Sequence, residues 1–301
     1  MRVLIVGCGY VGRSLGAELV RQGHEVFGLR RGAGAQADLQ AAGIRPLTGD
    51  VTKPGDLARL PRPFDWVVNC VSSTGSGAED YRRVYGEGTR NLIERLATAP
   101  PKKFVYTSST SVYGQTDGSL VKETSPAEPA VETAKVLVET ENILLAAARQ
   151  KQLPAVILRV AGIYGPGRGH WFKQYLKGDA RLEGKGERIL NMIHRDDVAG
   201  VIIEALKSGR PGEVYNAVDD EPVSQIHFFR WLAGALDQPM PPTAPEEPNC
   251  KRGLTNKRVS NRKLRMELGC QFKYPTFRQG YTAEIQRLDN AGKLNLGSKP
   301  A

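Results

Sequence analysis

The stretch Val3-Leu4-Ile5-Val6-Gly7-Cys8-Gly9-Tyr10-Val11-Gly12 limits the fold of this chain more than any other. Four apolar residues run straight into glycines spaced G-x-G-x-x-G, and a helical pattern follows from Gly12 to Arg21. A strand, a tight turn and a helix in that register make the first half of a dinucleotide-binding βαβ unit. The glycines have separate tasks. Gly7 permits the turn, Gly9 lets backbone approach a pyrophosphate, and Gly12 lets the helix pack on the strand. Tyr10 and Val11 belong to the same cofactor-binding turn, because the helix N-terminus presents unpaired N–H groups to the phosphates. The alternative is a glycine turn that serves structure alone.

The first two hundred residues repeat this alternation. Strands are expected at Arg2–Val6, Glu25–Leu29, Ile44–Leu47, Trp66–Cys70, Lys103–Ser108, Ala155–Val160 and Val214–Ala217. They are rich in Val and Ile without strict alternation, the pattern of strands buried on both faces. Helices are expected over Gly12–Arg21, Tyr81–Ala97, Thr133–Arg149 and Asp196–Ser208. The fold class that follows is α/β, a doubly wound parallel sheet of the Rossmann type. After about Pro166 the texture changes to Gly, Lys and Arg, and the segment 237–256 carries the prolines of QPMPPTAPEEP. A smaller substrate lobe is therefore expected from 167–189 and 222–301, with the Rossmann domain in 1–166 and 190–221. The terminal GKLNLGSKPA reads as a frayed tail.

At 301 residues the chain is long enough for a sizeable core, and 40% apolar with 25% charged residues is ordinary for a soluble protein. No apolar run approaches the roughly 20 residues that span a bilayer, so no membrane contact and a cytoplasmic location are expected. Cys8, Cys70, Cys250 and Cys270 are widely spaced and form no CxxC pair, which argues against a disulfide framework and against a metal site. The net charge is +10. No nucleic-acid-binding motif accompanies it, so no nucleic-acid partner is expected, and an anionic small molecule accounts for the charge as well.

The second strand ends in Arg30-Arg31, where an NAD-binding unit usually carries an acid for the ribose hydroxyls. Paired guanidinium groups suit a 2′-phosphate, so NADP is favoured, with NAD as the alternative if both arginines are only solvated. Asp50, in the GDVT that follows the third strand, is placed to accept from the adenine amino group, with Val51 against the ring. The small residues of NCVSS, 69–73, let backbone approach the cofactor.

FVYTSSTSVYG at 104–114, GEGTRNLIE at 86–94, LRVAGIYGPG at 158–167 and NMIHRDDVAGVI at 191–202 complete the set. Together with the glycine turn they resemble the extended short-chain dehydrogenase/reductases, the NAD(P)-dependent sugar epimerases and dehydratases. The segment TSSTSVYG and the altered helix after it look most like the YeeZ-like branch. The resemblance implies that Ser109 polarises a substrate carbonyl and that Lys135 holds the nicotinamide ribose, both as catalytic residues. Glu139 then falls on the usual glutamate one turn later. Tyr164, Gly165 and Pro166 match the loop beside the nicotinamide. Tyr113, Tyr164 and Arg168 are placed at the substrate. A homodimer through the helices at 81–97 and 133–149 is also implied.

The departure is at Val131. The family places a tyrosine four residues before the lysine, as proton donor and acceptor. Three alternatives follow. Another group transfers the proton, with Tyr113, Tyr164, Glu132 and Thr133 as candidates, and Ser109 with a Lys135-linked water as another. The substrate or water supplies the proton. Or the chain binds NADP(H) as a sensor or scaffold without turnover. The leading expectation is an NAD(P)-dependent oxidoreductase or epimerase/dehydratase acting on a small polar alcohol or ketone, sugars and sugar nucleotides included. In the second lobe, His170, Trp171, Lys185 and Arg188 are weaker candidates for ligand contact, more readily read as solvated or packing groups. His194 with Asp196 and Asp197 reads as a helix cap, not as a catalytic set.

Overall fold

The computed structural model describes residues 1–32, 34, 36–73, 75, 77–244 and 255–294. Cys250, part of the proline-rich segment and most of the C-terminal tail lie outside the described residues. Seven strands form one sheet: β1 (Arg2–Val6), β2 (Glu25–Arg30), β3 (Arg45–Thr48), β4 (Trp66–Asn69), β5 (Lys103–Ser109), β6 (Ala155–Val160) and β7 (Val214–Ala217). Their order across the sheet is β7-β6-β5-β4-β1-β2-β3, and every pairing is parallel. Parallel neighbours need crossover connections, which the helical segments supply. The order reverses between β1 and β4, so a crevice opens at their carboxyl ends.

The helices are α1 (Tyr10–Arg21), α2 (Gln36–Ala41), α3 (Pro54–Ala58), α4 (Ala78–Tyr81), α5 (Gly88–Ala97), α6 (Glu132–Arg149), α7 (His170–Leu176), α8 (Arg195–Ser208), α9 (Gln225–Leu236), α10 (Arg262–Leu268) and α11 (Phe277–Asn290). A π-helical turn, Arg82–Glu87, joins α4 to α5. On one flank α1 packs on α8, and on another α5 and the π turn pack on α6. The strands and longer helices expected from periodicity are present, with ends shifted by a few residues. The short helices α2 and α3 carry too few residues to show a period. Among the described residues no helix is long and apolar enough to cross a membrane.

Two separate groups of buried side chains hold the molecule. The first surrounds the sheet, with Val3, Leu4, Ile5, Val67, Phe104 and Ile157 fully buried. The second is aromatic and joins the segment after β6 to α9 and α11: Tyr164, Phe172, Phe228, Phe229, Phe277 and Tyr281. Tyr164 stacks on Tyr281 with ring centroids 4.4 Å apart. Such aromatic pairs add about 0.5–1.5 kcal/mol beyond the area they bury. The chain then returns to the first group. Arg258–Val259 pairs in parallel with Leu120–Val121, and Leu264, Leu268 and Phe272 pack around the sheet.

Candidate functional site

The glycine turn stands at the carboxyl end of β1. Gly7 has φ +81°, and a Cβ there would lie 2.6 Å from the Val71 backbone. The amides of Gly7 and Cys8 both donate to the Leu29 carbonyl, at 3.1 and 3.0 Å, which fixes the turn to β2. Gly12 would press a Cβ on Ile5 at 3.0 Å, so it is the close helix–strand contact. Gly9 differs: outside its chain neighbours the nearest atom to a Cβ there would be the Gly7 carbonyl oxygen, at 3.8 Å. That side of the turn is open.

A cleft of about 310 Å³ runs from Val6, Gly7 and Gly9 to Arg30 and Arg31, and on to Asp50 and Val51, with Val71 and Ser72 on the far wall. It therefore unites most of the cofactor residues expected from sequence, at the switch point of the sheet. The Asp50 carboxylate is partly buried, which raises its pKa, but the amide and hydroxyl of Thr52 bond to it and Arg31 lies near. The net result is a carboxyl held below its ordinary value. It stays an anionic acceptor. These residues fit a dinucleotide: an open phosphate-facing glycine at one end, two guanidinium groups at the other. A larger groove, about 900 Å³, lies between α1 and α8. It shares no residue with the glycine turn, and its arginines are taken up in the pairs Arg13–Asp38 and Arg195–Asp196.

The residues expected to do chemistry are less well gathered. Ser109 ends β5, half-buried, and its Oγ accepts from the Ser111 amide at 3.1 Å. Lys135 and Glu139 lie on the exposed face of α6, and Lys135 Nζ bonds Glu132 at 2.7 Å. Val131 is the N-cap, in extended conformation, and its carbonyl accepts from the Lys135 amide at 3.1 Å, one turn on. The four-residue stripe that turns inward is Thr133, Leu137 and Glu141, the last two buried. The core-facing stripe is thus two residues out of step with Lys135 and Glu139, which face outward.

Both tyrosines expected at the substrate are core residues. Tyr113 is fully buried, donating to Asn216 Oδ1 at 2.8 Å and accepting from Arg159 Nη1 at 2.9 Å. Tyr164 belongs to the aromatic group, where burial pushes its hydroxyl pKa far up. Arg168 is exposed, with its guanidinium 5.1 Å from the Tyr10 ring centroid. Trp171 is covered by Arg188 at 5.1 Å. His194 caps α8: its Nδ1 accepts from the Asp196 amide at 3.1 Å, and burial lowers its pKa to about 4, so it is neutral.

One buried network was missed in the sequence. Arg159 in β6 makes a forked pair with Glu141 in α6 at 2.7–3.2 Å, and Ser108 donates to the same carboxylate at 2.6 Å. The signal was there. An arginine inside the apolar strand AVILRV must find a buried partner.

The sequence model of the NAD dependent epimerase/dehydratase family matches residues 3–217. YeeZ of Escherichia coli K12 is 29% identical over 287 residues, covering 91% of this chain and 96% of YeeZ. Human dTDP-D-glucose 4,6-dehydratase is 30% identical over 165 residues, 50% of this chain and 45% of that enzyme. Among solved structures, a conserved protein of unknown function from Silicibacter pomeroyi superposes with TM-score 0.76 at 28% identity, over 96% of this chain and 99% of that one. DesIV, a dTDP-glucose 4,6-dehydratase from Streptomyces venezuelae solved with NAD bound, shares the fold at TM-score 0.82 and 23% identity, over 96% and 97%. The chain belongs to the NAD-dependent epimerase/dehydratase family, within the extended short-chain dehydrogenase/reductases.

Proposed function

We propose that the chain binds NADP(H) along the 310 Å³ cleft and exchanges hydride with a small polar alcohol or ketone, a sugar or sugar nucleotide in class. The observation that carries this reading is the cradle itself. Gly9 is open, Gly7 is committed to its turn, and Arg30 and Arg31 close the adenosine end. A bound nicotinamide coenzyme supplies hydride chemistry. The chain supplies the rest. Gly9 leaves its side of the turn open to the phosphates while its own amide stays on the Gly7 carbonyl, Tyr10 and Val11 offer amides to them, Asp50 accepts from the adenine amine, and Ser109 donates to a carbonyl oxygen.

The proton is the weak point. Tyr113 and Tyr164 are held in cores, and Glu132 is tied to Lys135 on the exposed face of α6. Thr133 and Ser109 remain, and a hydroxyl without a partner base is a poor acid or base. A general acid or base is worth roughly 10²–10⁴-fold, so slow turnover through water is the expectation. A second reading is favoured by the α6 register: an NADP(H)-binding sensor or scaffold that turns nothing over. The experiment is to incubate purified protein with NADPH and a panel of sugars and carbonyls and follow the absorbance of the reduced coenzyme. Turnover lost in Ser109→Ala supports the enzyme. Tight NADPH binding with a silent panel supports the sensor.

A further inference from the structure

Tyr10 follows the two glycines of the phosphate turn, yet its side chain serves a different part of the molecule. Its hydroxyl donates to the Pro166 carbonyl at 3.2 Å. Its ring lies 5.1 Å from the guanidinium of Arg168 and 5.1 Å from that of Arg195. The turn it holds is narrow. Gly165 and Arg168 bond each other in both directions, at 3.1 and 2.8 Å. Gly165 has φ +133°, and a Cβ there would fall 2.8 Å from His194 Nε2 and 3.2 Å from the Tyr10 hydroxyl. The far side of the turn belongs to the aromatic lobe. The Gly167 amide donates to Glu284 Oε1 at 3.1 Å, and a Cβ on Gly169 would lie 3.0 Å from the Tyr281 hydroxyl. Glu284 is itself 4% exposed and held by Arg287.

We propose that Tyr10 is a positioning residue that couples coenzyme occupancy of the glycine turn to closure of the Gly165–Arg168 turn, and so to the placement of Arg168 beside the substrate. This rests on the NADP(H) reading of the cleft. Two states are distinguished: closed, with the Tyr10 hydroxyl on Pro166 and the Gly165, Gly167 and Arg168 amides on their acceptors, and open, with these bonds broken together. Phosphates held by the amides of Tyr10 and Val11 fix the first turn of α1 and with it the ring of Tyr10. The coenzyme therefore binds the closed state better, and only such a difference in affinity shifts a population. The coupling is reciprocal, so an anionic substrate gathered by Arg168 tightens coenzyme binding by the same factor. Tyr10 needs no contact with reacting atoms to do this.

The test is hydrogen exchange on the full chain with and without saturating NADPH. The amides of Gly165, Gly167 and Arg168 are the reporters, since each has a named acceptor in the closed state. In the wild type, NADPH slows exchange in 7–13 and also in 165–169. Tyr10→Phe removes only the hydroxyl. At saturating NADPH it loses at least about fivefold of the added protection at 165–169, at the low end of typical couplings. Tyr10→Leu removes the ring as well and abolishes that protection. Remote protection unchanged in Tyr10→Phe overturns the proposal, whether or not the leucine variant folds. So does a wild type protected at 7–13 alone. If NADPH protects neither segment, the coenzyme reading itself has failed and the coupling falls with it.

Discussion

Gly7 and Gly9 stand two residues apart and fail differently when replaced. Alanine at Gly7 meets the Val71 backbone at 2.6 Å in a left-handed conformation. Strain and overpacking together cost about 1–3 kcal/mol, read as a lowered denaturation midpoint. Gly9→Ala projects a methyl into the open side of the turn, so its chief effect is weaker NADPH binding, measured by calorimetry. Both roles were legible in the spacing, because a strand and a helix in register leave each glycine one task. Asp219 was not legible, since only tertiary packing buries it. It is 1% exposed, and Oδ2 has no hydrogen-bond partner among the described residues. Burial first, with Glu221, Asp220 and Asp197 adding negative charge, raises its pKa to about 8. The folded chain thus keeps a proton that the unfolded chain releases near the ordinary value of 3.8. Stability from this group is greatest below that value and declines as pH rises toward 8. Asp219→Asn stays neutral and escapes the decline. Its melting temperature should exceed the wild type's by more at pH 8 than at pH 5, and an equal gap at both would refute the assignment.

Helix α6 shows that a four-residue spacing alone does not say which face turns to the core. Lys135 and Glu139 are four apart, but so are Thr133, Leu137 and Glu141, and spacing alone does not choose between the two stripes. The apolar pattern does. Ala134, Leu137, Leu144 and Ala147 recur at three- and four-residue or longer helical steps and are all buried, which leaves Lys135 and Glu139 on the far side. The helix begins at Glu132 with Val131 as cap, and the Lys135 amide donates to the Val131 carbonyl at 3.1 Å, so the two stand one helical turn apart. Two variants separate the stripes. Lys135→Ala removes an exposed ion pair, and exposed pairs are worth about 0–1 kcal/mol, so both stability and NADPH affinity stay near the wild type. Glu141→Ala strands Arg159, whose side chain is 8% exposed, and breaking such a buried pair costs about 3–5 kcal/mol. Urea unfolding of the two proteins side by side checks this. A Lys135→Ala protein that loses coenzyme would restore the register read from sequence.

Across the whole molecule, legibility followed the kind of packing involved. The parallel sheet was readable because strands buried on both faces are continuous apolar runs, and because glycine marked the first turn. The aromatic lobe was not, since its core is assembled from Tyr164, Phe172, Phe228 and Phe277, far apart in sequence and without a shared period. The cleft lies on the readable side, with Arg30 and Arg31 at the carboxyl end of β2 and the glycine turn at that of β1. On the proposed reading of the cleft, charge is the determinant of coenzyme choice. A 2′-phosphate adds forked, charge-assisted bonds to guanidinium that a ribose hydroxyl lacks. The protein should therefore bind NADPH roughly tenfold or more tightly than NADH at low salt, since one such bond is worth at least the ~1.4 kcal/mol of a tenfold step. The preference should shrink as salt screens the exposed end of the cleft. Replacing both arginines by alanine removes the preference while leaving NADH affinity within about twofold, because the glycine turn and Asp50 are untouched. Titrations of both coenzymes at low and high salt decide it: equal affinities in the wild type would return the adenosine end to solvent and leave NAD as the coenzyme.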